Sequence, residues 1–192
     1  MGRHPYANRW PNALAAGLGG GARVIEEGLN GRMTVHDDPT VAESRNGAVA
    51  LPMLLATHQP LDLVIIMLGT NDLKRFRAID AMWGMERLIE IVQNFLYNEN
   101  YPKPKLLIVS PPQLATTGDE DFDAMFGHAI EESRKFSYHY GRLAKLKGVH
   151  FFDAAPVAAA DPVDGVHLDA AATRALGEAL VPKVRSILDL GC

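Results

Sequence analysis

Two apolar runs constrain this chain more than any other feature: LDLVIIML from Leu61 to Leu68 and KLLIVS from Lys105 to Ser110. Each has the length of one strand, and each is almost continuously apolar where a strand with one face in water would alternate. Strands of this kind belong in a parallel sheet covered by helices on both faces. RVIEE from Arg23 to Glu27 and VHFFD from Val149 to Asp153 complete a set of four predicted strands.

Helical patterns fill the intervals. Trp10, Leu14 and Leu18 recur at four-residue spacing over Asn8 to Leu18, with Asn8 as the N-cap. Met85, Leu88, Ile89, Val92, Phe95 and Leu96 form one apolar stripe. Phe122, Phe126, Ala129, Ser133, Phe136, Tyr140 and Leu143 form another, and both read as core. A last helix runs from Asp169 to about Leu188, with a kink expected at Pro182. Alternation of strand and helix predicts an α/β fold with a parallel sheet. At 192 residues and 47% hydrophobic content, residues 1–192 are expected to form a single domain.

Composition narrows the function classes. Nineteen basic residues against twenty-three acidic ones give a net charge of -4 with no block of either sign, so no nucleic-acid partner is expected. The one cysteine, Cys192, allows neither an internal disulfide nor a zinc site built on thiolates, which fits a reducing compartment. The run from Leu61 to Leu68 contains Asp62 and is too short to span a bilayer, and the first residues lack the apolar segment of a signal peptide. The expectation is a cytoplasmic protein with no membrane partner.

In open parallel sheets, ligands bind beyond the carboxyl ends of the strands, and three polar clusters fall there. They are EGLNGR (Glu27 to Arg32), GTND (Gly69 to Asp72) and DGVH (Asp164 to His167). Singly, each also reads as an ordinary turn or helix cap. In DGVH, an aspartate three residues before a histidine can accept the Nδ1 proton, fix the tautomer and leave Nε2 free as a base. His4, His36, His58, His128, His139 and His150 lack that local context and read as surface or packing residues. A metal reading of Asp164 and His167 is weaker, because no third ligand follows at regular spacing. Gly31, through its backbone N–H, and Asn71, through its amide, are suited to stabilise a developing oxyanion. Phe76, Met82, Trp83 and Leu114 read either as the lining of an acyl or aryl pocket or as plain packing.

Taken together, GLNGR, VIIMLGTND, LLIVSPP and VDGVHL resemble, in order and spacing, the blocks of the SGNH hydrolases, or GDSL-type esterases. The similarity is greatest to the bacterial arylesterase and acyltransferase branch and runs over almost the whole chain. It implies a flavodoxin-like three-layer sandwich, with Gly31 and Asn71 in the oxyanion hole, His167 as general base and Asp164 as its orienting acid. It implies a small-molecule ester substrate, no metal or organic cofactor, and association into homo-oligomers. Hydrolysis and acyl transfer both remain open.

The family's nucleophilic serine lies in a GDS block after the first, central strand, and residues 1–192 contain neither that strand nor the block. Ser44, Ser110, Ser133, Ser137 and Ser186 match no nucleophile position. The chain is therefore expected to be an amino-terminally incomplete esterase domain, with Met1 a misassigned or secondary start. The alternative is a binding module or pseudoenzyme that keeps the pocket. A nucleotide-binding domain is disfavoured, because no phosphate-cradling glycine loop follows a predicted strand. Loss of a central strand should cost more than the roughly 5 to 15 kcal/mol that holds a domain together. The purified chain is accordingly expected to aggregate or bind the dye ANS; a monodisperse, ANS-silent protein with a cooperative melt would contradict this.

Overall fold

The computed structural model describes residues 3–191; Met1, Gly2 and Cys192, including the sequence's only cysteine, lie outside the described residues. Seven α-helices are described: α1 (Trp10–Leu18), α2 (Gly47–His58), α3 (Ala78–Asn94), α4 (Glu120–Phe126), α5 (Ile130–Ser133), α6 (Phe136–Lys147) and α7 (Ala170–Leu188). Three strands accompany them, β1 (Leu63–Ile66), β2 (Lys105–Ser110) and β3 (His150–Asp153). The strands form one sheet of order β1-β2-β3, parallel throughout. Leu63 pairs with Lys105 and Ile66 with Ile108, while Leu107 pairs with His150 and Ser110 with Asp153. The expected α/β fold with a parallel sheet is therefore present.

Because β2 is paired on both edges, its residues from Leu106 to Ser110 are all buried, which is why KLLIVS carries no polar alternation. Arg23–Glu27, by contrast, is not one of the sheet's strands. A strand exists only through its ladder, and two apolar residues among five give this segment little to bury.

The chain groups into two compact units. One comprises Leu29–Pro111 and Glu131–Asp153 and holds the sheet with α2, α3 and α6. In it α3 packs on α2 and α6, and α6 packs on β2 and β3. Met85, Leu88 and Ile89 of α3, Leu107 and Ile108 of β2, and Phe136 and Tyr140 of α6 are fully buried. The other takes in the stretch up to Gly28, Pro112–Ile130 and the stretch from Ala154 onward, and its main packing is α1 along α7.

Several local expectations need correction. The N-cap of α1 is Arg9, because Tyr6–Asn8 forms its own 3-10 turn. The stripe from Phe122 to Leu143 stays largely buried but is cut into α4, a 3-10 turn at Gly127–Ala129, α5 and α6. α3 ends at Asn94, so Phe95 lies past it and Leu96 is exposed. The last helix needs no correction: α7 runs from Ala170 to Leu188 behind an Asp169 N-cap, with Pro182 inside it as expected. Helix α2 carries no readable stripe: Pro52 lies within it, only Gly47 and Leu55 are buried, and Val49 and Met53 face outward. Its start is fixed by Asn46, whose side-chain oxygen accepts the N–H of Ala48 at 2.9 Å and of Val49 at 3.3 Å.

The α1–α7 packing depends on Gly177, where a Cβ would lie 2.7 Å from Ala13 Cβ and 3.0 Å from the Leu14 nitrogen. Alanine there gains about 1 kcal/mol of helix propensity, whereas overpacking against backbone costs about 1–3 kcal/mol. Gly177→Ala is expected to lower the urea midpoint without changing the slope; a raised midpoint would show that α1 yields at this contact.

Candidate active site

The DGVH loop is held from within its own compact unit. Gly165 adopts φ 71°, a left-handed conformation that L side chains rarely take, and a Cβ there would also collide with the backbone of Ala115. Its N–H donates to Asp161 O at 2.7 Å, its carbonyl accepts the Ala115 N–H at 2.8 Å, and the Asp161 N–H donates to His167 O at 2.7 Å. Thr117 Oγ1 donates to Val163 O at 2.8 Å.

Within this frame Asp164 is only 2% exposed. Its Oδ1 accepts the backbone N–H of Val166 at 2.9 Å and of His167 at 2.8 Å, and its Oδ2 lies 2.9 Å from His167 Nδ1. Burial opposes charge on Asp164, but the two backbone donors and the imidazole outweigh it and hold the carboxyl below its ordinary value. A carboxylate at Nδ1 selects the tautomer that leaves Nε2 without a proton. The His167 side chain is 38% exposed, so the ring remains accessible. The edge of Phe122 meets it with ring centroids 5.6 Å apart.

Gly31 and Asn71 lie in the other unit, on two loops that meet. Gly31, in the turn at residues 30–31, has φ 78°, and a Cβ there would find only ordinary contact with Arg45 at 3.5 Å. Conformation rather than crowding calls for glycine at this position. Asn71 follows β1 in the 3-10 turn Thr70–Lys74. That turn is entered through Gly69 at φ 132°, where a Cβ would lie 2.6 Å from the Tyr140 hydroxyl. The same hydroxyl donates to Leu68 O at 2.8 Å, which fixes the end of β1. Asn71 Nδ2 donates to Arg32 O at 3.3 Å, joining the amide to the Gly31 loop.

The five serines have other settings. Ser44 donates to Asp37, Ser110 and Ser137 donate to Asp153, Ser133 is buried and Ser186 is exposed on α7. Among the described residues no three His, Cys, Asp or Glu side chains group as a metal site. Phe76 and Trp83 line a concavity of about 430 Å³ with Val35, His36 and Arg87, whereas Leu114 is buried and Met82 half-buried. Sequence reasoning missed His4, whose Nε2 donates to the carbonyl of Leu168, next to His167, at 2.8 Å. It also placed Phe122 in a core stripe. Neither role has a local signal, since His4 lies 164 residues from its partner.

The parallel α/β fold and a histidine hydrogen-bonded to a buried carboxylate occur together in this chain. The chain belongs to the GDSL-like lipase/acylhydrolase family, whose match covers residues 1–175. Among solved structures it is similar to a carbohydrate acetylesterase family member from Sinorhizobium meliloti, at 46% identity and a TM-score of 0.96 over 98% of this chain and 91% of that one. It is also similar to the aryl esterase of M. smegmatis, at 44% identity and a TM-score of 0.92 over 97% of this chain and 89% of that one. TesA, at 19% identity and a TM-score of 0.67 over 96% of this chain and 92% of that one, shares the fold. Among curated protein sequences none matches.

A carboxyl held below its ordinary value of 3.8 contributes stability in full above that value and loses it as pH falls through the lowered one. Asp164→Asn is therefore expected to lower stability at pH 7 and to flatten the acid limb of a stability-versus-pH curve below about pH 4. An acid limb identical to the parent's would show that Asp164 is not held in its charged form by this loop.

Proposed function

We propose that residues 1–192 are one SGNH-type carboxylic ester hydrolase domain for small esters, with His167 as base and Asp164 as its orienting acid, a chemistry that needs the family's Gly-Asp-Ser nucleophile, which these residues do not contain. The observation that carries the reading is the Asp164–His167 pair, with Oδ2 at 2.9 Å from Nδ1. Family membership and the acetylesterase and aryl esterase relatives support a small acyl group and a sugar or aryl alcohol as the substrate class.

In this reading the serine Oγ attacks the ester carbonyl while His167 Nε2 takes its proton, and the resulting imidazolium is stabilised by Asp164. The carbonyl oxygen becomes an oxyanion that accepts hydrogen bonds from the Gly31 N–H and the Asn71 amide. Collapse of the tetrahedral intermediate breaks the ester C–O bond, and His167 returns the proton to the departing alcohol. Water or a second alcohol then attacks the acyl-serine by the same route, giving hydrolysis or acyl transfer. No step calls for a metal or organic cofactor.

The absence of a Gly-Asp-Ser block from the sequence favours one further reading, a binding module that retains the pocket. The two separate on extension. The chain as given is expected to show no burst with p-nitrophenyl acetate, since loss of the nucleophile leaves only about a thousandfold to ten-thousandfold over water. A chain extended before residue 1 by a strand and a Gly-Asp-Ser turn is expected to turn over; an inert, folded extended chain would favour the binding module. Stoichiometric fluorophosphonate labelling of one of the five present serines, with matching activity, would overturn the assignment.

In the active extended chain, His167→Ala should cost several orders of magnitude in kcat, and Asp164→Asn less but still heavily, through the wrong tautomer. Asn71→Ala should lower kcat by about a hundredfold to a thousandfold with little change in KM, and unchanged kcat would remove Asn71 from the oxyanion role.

A further inference from the structure

Asp72 is a carboxylate with 0% exposure, one residue after Asn71, and the proposed chemistry makes no use of it. Its hydrogen bonds go to a single residue 38 positions earlier. Thr34 N–H donates to Oδ2 at 3.0 Å and to Oδ1 at 3.2 Å, and Thr34 Oγ1 donates to Oδ1 at 2.5 Å. Thr34 is itself fully buried. Burial raises the Asp72 carboxyl above its ordinary value, with the Thr34 donors pulling the other way.

Two more observations give the pair a direction. Helix α3 presses on Thr34 from behind: a Cβ at Gly84 would lie 2.6 Å from Thr34 Cβ and closer still to its hydroxyl. The backbone at Thr34 is tied as well, its carbonyl accepting the Ala48 N–H at 3.0 Å and that of Met33 the Gly47 N–H at 3.1 Å. Thr34 is thus packed between helix α3 and the Asp72 carboxyl. The bond from Asn71 to Arg32 O, at 3.3 Å, is by comparison long.

We infer that Asp72 is a positioning residue, a buried clamp on Thr34 that sets the separation between the Gly31 N–H and the Asn71 amide. The inference rests on the esterase reading for its consequence in the reaction, while the clamp itself belongs to the chain as it stands. Both donors hang from short segments next to the clamp, Asn71 by one bond along the chain and Gly31 by three residues. Releasing Asp72 from Thr34 removes a tie between the two loops and lets their spacing relax about the longer Asn71–Arg32 bond. A misplacement of about 1 Å in such a site costs about a hundredfold in rate.

The variants are Asp72→Asn, which turns one acceptor into a donor facing the Thr34 N–H, Thr34→Val, which deletes the hydroxyl in the same shape, and Thr34→Ser, which keeps it. Two readouts separate the clamp from the esterase reading. On the extended chain, amide hydrogen exchange read by NMR should quicken at Gly31 to Thr34 by about tenfold or more in Asp72→Asn and Thr34→Val, and stay near the parent rate in Thr34→Ser. On the extended chain with p-nitrophenyl acetate, the first two variants should lose about tenfold to a hundredfold in kcat, with KM within about twofold and an unshifted pH profile, and Thr34→Ser should recover most of the loss.

Unchanged exchange in Asp72→Asn overturns the clamp, and so does parental kcat in an active extended chain. A kcat loss that Thr34→Ser fails to recover, or one that moves the pH profile, also overturns it, because Asp72 would then act by another route. Quickened exchange in a family of extended chains that are all inert sustains the clamp and removes the esterase reading.

Discussion

Parallel pairing of β2 on both of its edges is the constraint from which the rest of the architecture follows. A parallel neighbour cannot be reached by a tight turn, so each strand must be followed by a crossover, and here α3 follows β1 and α6 precedes β3. All carboxyl ends then point the same way. The ends of β2 and β3 are closed by polar bonds: Ser110 and Ser137 both donate to Asp153, at 2.8 and 2.7 Å. The end of β1 is left to Gly69 and the turn that carries Asn71. At β1 the strand end instead leads to the Asn71 amide, which bonds Arg32 O.

The two halves of the proposed machinery are positioned by different physics. Asp164 and His167 are three residues apart, and a single carboxylate satisfies two backbone donors and one ring nitrogen. That arrangement is built almost entirely within one turn, with the 115–117 segment acting as a brace. Gly31 and Asn71 have no such local relation. Their geometry comes from bonds that span nearly 40 residues, through Asp72 to Thr34 and Asn71 to Arg32.

This difference explains what could be read from the sequence. β2 was legible to the residue, because burial on both faces leaves an unbroken apolar run. The Asp164–His167 contact was legible because three-residue spacing almost dictates it once a glycine permits the turn. Asn71 and Gly31 were legible as polar breaks after apolar or turn-forming segments, while their nearness followed from the family resemblance and not from any local pattern. Arg23–Glu27 misled because β-branched composition is a preference and a strand is a pairing. Helix α2 was hidden by Pro52 and by apolar residues on its outer face. His4 and Thr34 were invisible, since nothing in a one-dimensional pattern marks a residue whose partner lies 164 or 38 positions away.

The two buried aspartates show how environment divides one chemistry into two roles. Asp164 and Asp72 are both nearly or wholly removed from water, yet their carboxyls move in opposite directions. Asp164 offsets its burial with two backbone donors and a partner that can itself become cationic, so its charged form is the stable one. That is the state required to steady an imidazolium. Asp72 has the two donors of an uncharged threonine, with lesser help from His36 and its own backbone N–H, and burial outweighs them. A buried carboxyl holds strongly to the donors it has, because losing the Thr34 N–H would leave Oδ2 unsatisfied and losing the hydroxyl would leave Oδ1 only the longer bond. On the clamp reading its value is geometric: it holds the Thr34 loop from a fully buried position, without adding a charge exposed to water.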